Sequence, residues 1–317
     1  MKILYSNEAN FKDEFRALVD RSNIDMQSVM PIVNGIINDI KEHGDAALNE
    51  QIAKFDKWEV NGNLAITTDE MKAAYDNLDD KLRNALKLAY ERVKAYHEKQ
   101  VEKSWIDFEP SGAILGQKVT PVDRAGLYIP GGKAAYPSSL IMNAVPAIVA
   151  GVKEIVVCTP AVGGEVNSLL LAAMHLLGIK TAYKVGGASA VAAMAYGTQT
   201  IKKVDVITGP GNIFVATAKK MVYGDVNIDM IAGPSEIGVI ADESANPTHI
   251  AIDLLSQAEH DEIASSFLIT FSAEFANKVN DEIQRLLPNL KRYEIAKASI
   301  DNKAAIIVAC DIDECIE

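Results

Sequence analysis

Apolar positions recur at three- and four-residue spacing through the first hundred residues. Ile32, Val33, Ile36, Ile37 and Ile40 mark one helical stripe, and residues 71–100 form a long helical run rich in Ala, Leu, Lys and Glu. Gly44 and Asp45 interrupt the first run as a bend. Over residues 105–122 the period shortens to alternation around Pro110, Ser111 and Gly112, which predicts a hairpin. From residue 125 the pattern becomes rhythmic. Strands are expected at 125–129, 154–158, 181–185 and 204–207, each closed by a turn signal (PGG, TP, GG, GPG), with helical patterns between them. A second series follows: strand 237–240, helix 247–263, strand 267–270, helix 273–287 and strand 305–309.

Strand–helix alternation of this length implies right-handed βαβ units and parallel sheets. The expected fold is α/β, with two Rossmann-like parallel-sheet units behind a helical N-terminal region. The expected division is 1–112 for the helical region with its hairpin, 113–235 for the first unit and 236–317 for a second unit, incomplete at its C-terminus. In such sheets, loops beyond the carboxyl ends of the strands gather on one edge, where ligands bind. Tyr128, Gly131, Gly132, Gly186, Gly187, Gly209, Gly211 and Asn212 are assigned to that edge of the first sheet. Ser138 and Asn212 open the helices after the PGG and GPG turns, where unpaired N–H groups suit phosphate or hydroxyl ligands.

Composition narrows the class. The 317 residues are 49% hydrophobic, enough for two α/β domains with a real core. No stretch has the unbroken apolar length of a membrane span, and the polar, acidic start is unlike a signal peptide. The net charge of -12 disfavours nucleic-acid binding. Cys158, Cys310 and Cys315 have no paired spacing, and Cys158 reads as a small buried side chain at a strand end. A cytoplasmic setting is the expectation.

Candidate chemistry concentrates in ANPTHIAIDLLSQAEHDE. Asn246 before Pro247 reads as a helix N-cap with proline at the first helical position. At about 100° per residue, Asp253, Gln257 and His260 fall within roughly 60° of one another. Ile250, Ala251, Leu254, Leu255 and Ala258 form the adjoining apolar face. An amide and an imidazole three positions apart can both reach one small object such as a metal ion. They can equally be a hydrogen-bonded pair at a helix–sheet contact, and the residues alone leave both readings open. His43 and His97 sit among charged neighbours as surface residues; His175 and His249 have no ligand-spaced companion. GPGN is not the GxGxxG dinucleotide fingerprint, so the glycine turns fit either nucleotide binding or tight packing.

Five collinear segments carry a resemblance: RAGLYIPGGKAAYPSSLIMNAVPAIVAGV (124–152), VGGASAVAAMAYGT (185–198), GPGNIFVATAKKMVYG (209–224), IDMIAGPSEIGVIAD (228–242) and DLLSQAEHDE (253–262). On these the chain resembles the histidinol dehydrogenase family, over nearly its whole length and most closely from 113 to 271. The resemblance implies a zinc-dependent, homodimeric, NAD-dependent enzyme of histidine biosynthesis. Such enzymes oxidise L-histidinol to L-histidine through bound histidinal, using two NAD+ in succession. Gln257 and His260 match zinc ligands that border the substrate. Ser235 and Ser138 match substrate contacts, and Tyr128 and Asn212 match NAD contacts. Asp253 has no matched role and reads as a hydrogen-bond partner to the ligating side chains or a solvated helix acid.

Two departures stand out. Ser189 lies where the family usually has an NAD-contacting glutamine, and it is too short to take over that contact without a water. The family's Glu-His acid–base pair, and its remaining zinc ligands, match positions beyond Glu317, so no catalytic residue is assigned here. Three readings follow. The chain is part of a working histidinol dehydrogenase, inactive by itself. Alternatively it is a non-catalytic remnant binding nucleotide or a partner subunit, or a related zinc-dependent alcohol dehydrogenase.

Overall fold

A computed structural model describes residues 1–19, 21–131, 136–231 and 235–317, with the side chains of 19 and 21–25 left aside. In chain order the elements are β1 (Lys2–Tyr5), α1 (Phe11–Val19), α2 (Arg21–His43), α3 (Asp45–Phe55), α4 (Thr68–Asp76), α5 (Asp80–His97), β2 (Trp105–Phe108), β3 (Ile114–Gln117), β4 (Arg124–Tyr128) and α6 (Pro137–Ala150). They continue with β5 (Glu154–Thr159), α7 (Ser168–Leu176), β6 (Thr181–Lys184), α8 (Gly187–Tyr196), β7 (Val206–Thr208), α9 (Ile213–Val222), β8 (Asn227–Ile228), β9 (Glu236–Ile240) and α10 (Pro247–Ala258). Last come β10 (Ser265–Thr270), α11 (Ala273–Leu286), α12 (Tyr293–Lys303), β11 (Ala304–Val308) and α13 (Ile312–Ile316). Two compact units result: Met26–Ala232, and Met1–Asp25 with Gly233–Glu317.

The unit Met26–Ala232 carries a five-stranded parallel sheet in the order β6-β5-β4-β7-β8. Side chains alternate along each strand, so both faces are apolar and both are covered. Leu127, Ile129 and Val157 pack with Leu140, Ile141, Leu170 and Met174 on one face. Tyr128, Val156, Cys158 and Ile207 pack with Ile37, Leu48, Val191 and Val215 on the other. The chain leaves β4 first to one side, toward β5, and later returns to its other side with β7. That reversal makes the carboxyl ends of β4 and β7 the crevice where doubly wound sheets take ligands. The predicted β2–β3 hairpin is present and antiparallel, closed by Gly112 at φ 84°.

The other unit is a four-stranded parallel sheet, β1-β11-β10-β9. From β9 to β11 each strand is added on the same side of the last, so right-handed crossovers put α10, α11 and α12 on one face. There Leu254, Leu255, Phe275, Val279, Ile283 and Ile300 are buried. The opposite face holds a groove of about 610 Å³, lined by Phe11, Phe15 and Leu18 of α1, by Phe267, Ile269 and Ile307, and by Cys315 and Ile316.

Four details differ from the pattern-based expectation. The run 71–100 is two helices, because Asp79 accepts the Leu82 N–H at 2.8 Å and starts α5 anew. The N-terminal stretch begins with a strand, and Lys2–Tyr5 pairs with β11 in the second sheet. The helix expected over 247–263 stops at Ala258, and the short β8 was not anticipated. Gly132 and residues 232–234 of AGPSE lie outside the described residues.

Candidate active site

On the five-stranded sheet the candidate residues gather at the carboxyl edge. Tyr128 ends β4, Ser138 is the second residue of α6, Ser189 lies in the first turn of α8, and Asn212 is the N-cap of α9. Each helix begins where its strand's side-chain pattern stops and a glycine- or proline-containing turn intervenes. The Asn212 side-chain oxygen accepts the N–H groups of Phe214 and Val215 at 3.1 and 3.2 Å. Ser138 and Asn212 are exposed; Tyr128 and Ser189 are only 4% and 5% exposed. Tyr128 is therefore a wall of the rim more than an arm reaching from it. Its hydroxyl accepts the Gly187 N–H at 3.2 Å, and burial pushes its pKa up to about 12. It stays protonated at any working pH, with its own proton left to donate.

Packing accounts for most of the glycines. A Cβ on Gly186 would overlap Pro160, one on Gly211 would overlap Val215, and one on Gly209 would overlap the Tyr128 carbonyl. Gly209 also has φ 120°, which side chains rarely tolerate. Gly187 is different. It has φ 63° but, among the described residues, nothing within 4 Å of where a side chain would stand.

An ion pair that periodicity did not reveal lies beneath this edge. Lys219 of α9 is 2% exposed and pairs with Asp229, which follows β8. The signal was present: Val215, Ala218, Lys219 and Val222 share the buried face of α9, and a lysine there demands a partner. A buried acid, Asp56, is 8% exposed; burial raises its carboxyl pKa, partly offset by the Ala161 N–H it accepts.

In the four-stranded unit the candidate residues sit at the amino edge of the sheet. Helix α10 runs back from β9 toward the start of β10, so its C-terminus arrives beside the strand beginnings. Asn246 caps it as expected, accepting the Thr248 N–H at 2.9 Å, and Ala251, Leu254, Leu255 and Ala258 are buried. Ser235 immediately precedes β9 and accepts the Ser265 N–H at 3.1 Å. The carboxyl-edge rule thus selects Tyr128, Ser138 and Asn212 but not Ser235, Gln257 or His260.

His260 lies in a turn after the helix, not on it. Its N–H donates to the Gln257 carbonyl at 3.1 Å, and Arg292 donates to the His260 carbonyl at 3.2 Å. Ring atom Nδ1 lies 2.7 Å from the Ser256 carbonyl, which can only accept, so Nδ1 carries a proton and, in the neutral ring, Nε2 keeps the lone pair. That is the tautomer a metal or a proton donor requires. Gln257 is half-buried, and its Nε2 is buried with no hydrogen-bond partner among the described residues. Asp253 is exposed, as a solvated acid would be. Among the described residues no group of three or more His, Cys, Asp or Glu side chains stands ready to hold a metal. An amide and an imidazole would be only two of the four donors that a metal such as zinc commonly takes.

Two parallel-sheet units, one with the strand-order reversal of dinucleotide-binding folds, place the chain among the doubly wound α/β proteins. The family model for histidinol dehydrogenase matches residues 19–317. This chain belongs to the histidinol dehydrogenase family, a family of oxidoreductases. It is 62% identical to the histidinol dehydrogenase of Sulfurimonas denitrificans, over 98% of this chain and 73% of that protein. It is 60% identical to that of Wolinella succinogenes, over 100% of this chain and 74% of that protein. The crystal structure of histidinol dehydrogenase from Elizabethkingia anophelis superposes with a TM-score of 0.83 at 38% identity, over 91% of this chain and 66% of that one.

Proposed function

We propose that the chain serves the NAD-dependent, four-electron oxidation of L-histidinol to L-histidine through histidinal, with the five-stranded unit receiving NAD and α10 receiving the substrate. Family membership supports the reaction. The observation that carries the substrate site is the state of α10's C-terminal turn. An imidazole whose Nδ1 is engaged by a carbonyl, leaving Nε2 uncommitted, lies three residues after an amide whose buried nitrogen lacks an acceptor among the described residues. The buried amide nitrogen is short of a partner, and the exposed ring nitrogen is free to take one.

Tyr128, Ser189 and Asn212 are the proposed NAD contacts, and Ser138, Ser235, Gln257 and His260 the substrate contacts. Gln257 and His260 would hold the zinc, whose part when bound is to anchor the substrate's imidazole and amine. Two donors make a weak site, so zinc is proposed to bind firmly only when substrate or further protein groups add theirs. Oxidation of the alcohol also needs a base for the hydroxyl proton, and hydration of the aldehyde needs another proton transfer. Of the proposed site residues His260 is oriented for binding, and the serines, the amides and Tyr128, whose pKa is pushed up to about 12, are not bases for that proton. The 317 residues alone are therefore proposed to bind both reactants and to turn over poorly. The working enzyme is proposed to be a cytoplasmic homodimer. No helix among the described residues is long and apolar enough to cross a membrane.

Calorimetry with NAD+, and with histidinol in the presence and absence of zinc, tests the binding half of this reading; NADH absorbance tests the chemistry. The expected result is NAD+ binding, zinc-dependent histidinol binding and at most trace NADH. Robust turnover would overturn the view that acid–base groups are missing. No binding of either reactant would overturn the site itself.

A further inference from the structure

The Lys219–Asp229 pair acts on one residue, Gly209, from both of its backbone groups. Lys219 Nζ donates to the Gly209 carbonyl at 3.0 Å inside the protein. One oxygen of Asp229 accepts the Gly209 N–H at 2.9 Å, and the other accepts the Met230 N–H at 2.7 Å. The carbonyl of Tyr128 closes the turn on its other side, leaving no room for a Cβ. The turn after β7 is thus boxed between the end of β4 and an ion pair, buried at Lys219 and open to solvent at Asp229, that also ties α9 to the end of β8. An apolar side chain in place of Lys219 would avoid burying an ammonium at all, so fold stability alone does not account for the lysine.

We propose that Lys219 and Asp229 are positioning residues for the dinucleotide: together they lock Gly209 so that its carbonyl faces inward and the GPGN turn presents a fixed, non-repulsive backbone to the ligand's pyrophosphate. This rests on the reading of the carboxyl rim as the NAD site. An unclamped glycine at φ 120° has wide backbone freedom. Its carbonyl, turned outward, would set a negative dipole end against a doubly charged group. With the ammonium holding it, that rotation is blocked, and the following N-cap, Asn212, keeps one geometry. Neither residue touches the ligand in this scheme.

The test uses the 317-residue chain with Lys219→Met, Lys219→Arg and Asp229→Asn. NAD+ and ADP-ribose are titrated by calorimetry, and hydrogen exchange is followed at residues 209–212. Lys219→Met is expected to weaken NAD+ and ADP-ribose by the same factor, about tenfold or more. Exchange at 209–212 should rise while zinc-dependent histidinol binding is unchanged. A merely structural lysine would not single out the pyrophosphate ligands or the GPGN amides. A folded Lys219→Met chain that binds NAD+ like the parent overturns the proposal. Should that variant not fold, Lys219→Arg decides by the same criteria, since it keeps the charge but replaces the point donor with a planar fork. If the parent chain itself binds no NAD+, the cofactor reading fails separately. The exchange measurement then still decides the clamp: unchanged protection at 209–212 in the variant overturns it.

Discussion

The ring nitrogen Nδ1 of His260 lies 2.7 Å from the carbonyl oxygen of Ser256, one turn earlier in the chain. That contact converts an exposed histidine, free to rotate by its surface position, into one with a fixed tautomer and a directed lone pair. His260→Ala is expected to abolish zinc-dependent histidinol binding while changing unfolding free energy by less than about 1 kcal/mol, because an exposed side chain is lost. Gln257→Ala should behave alike, since its buried Nε2 gives up no hydrogen bond already made among the described residues. Paired calorimetry and denaturant melts check both. A large stability loss with intact binding would make these residues structural.

The two kinds of glycine at the carboxyl rim should respond differently to alanine. Gly209→Ala forces a methyl group into the Tyr128 carbonyl at φ 120°, so a loss of about 3 kcal/mol or more, or failure to fold, is expected. Gly187→Ala meets no neighbour among the described residues, so the strain of φ 63°, about 1 kcal/mol, is its expected cost. Its methyl group would stand in the space left for a ligand. A folded Gly187→Ala protein with weakened NAD+ binding is the expected outcome, read from melts and titration together.

Asp56 predicts a pH dependence of stability. Its folded pKa is raised by burial above the unfolded value, so the native state holds its proton more tightly than the unfolded chain does. The native state carries no penalty below the unfolded pKa. Stability is then lost as pH rises through the folded pKa, and the full penalty applies above it. Asp56→Asn keeps an oxygen for the Ala161 N–H and removes the charge. It should raise the melting temperature at neutral pH, with the gain shrinking toward acid pH. An equal gain at every pH would show that the carboxylate's ionisation is not the cause.

The groove face of the four-stranded sheet leaves Phe15 40%, Ile240 49% and Ile316 71% exposed. Apolar surface of this kind favours association. The chain is expected to self-associate in light scattering, and Ile240→Lys with Ile316→Lys should reduce it. A sharply monodisperse, salt-insensitive monomer in the unaltered protein would argue against this.

Sequence pattern carried the α/β alternation, the parallel sheets and the caps at Asn212 and Asn246 because those features are local. Period, turn residue and cap fall within one window. Long-range pairing was not local. Nothing in Lys2–Tyr5 announces that it adds to β11, and the boundary between α4 and α5 rests on a single aspartate in an otherwise continuous helical pattern. The buried Lys219 needed a partner that only the fold supplies, from beyond β8. At the rim, the glycines looked alike in the sequence. The space around each backbone separates Gly187 from Gly186, Gly209 and Gly211.

The pairing of Lys2 with Ala305 also sets an order of events during synthesis. The ribosome delivers β1 well before its neighbour β11, with the whole of Met26–Ala232 made in between. The stretch Met26–Ala232 is complete long before that, so its sheet can assemble while the leading strand still waits. A waiting apolar strand is a target for chaperones and a hazard for mispairing.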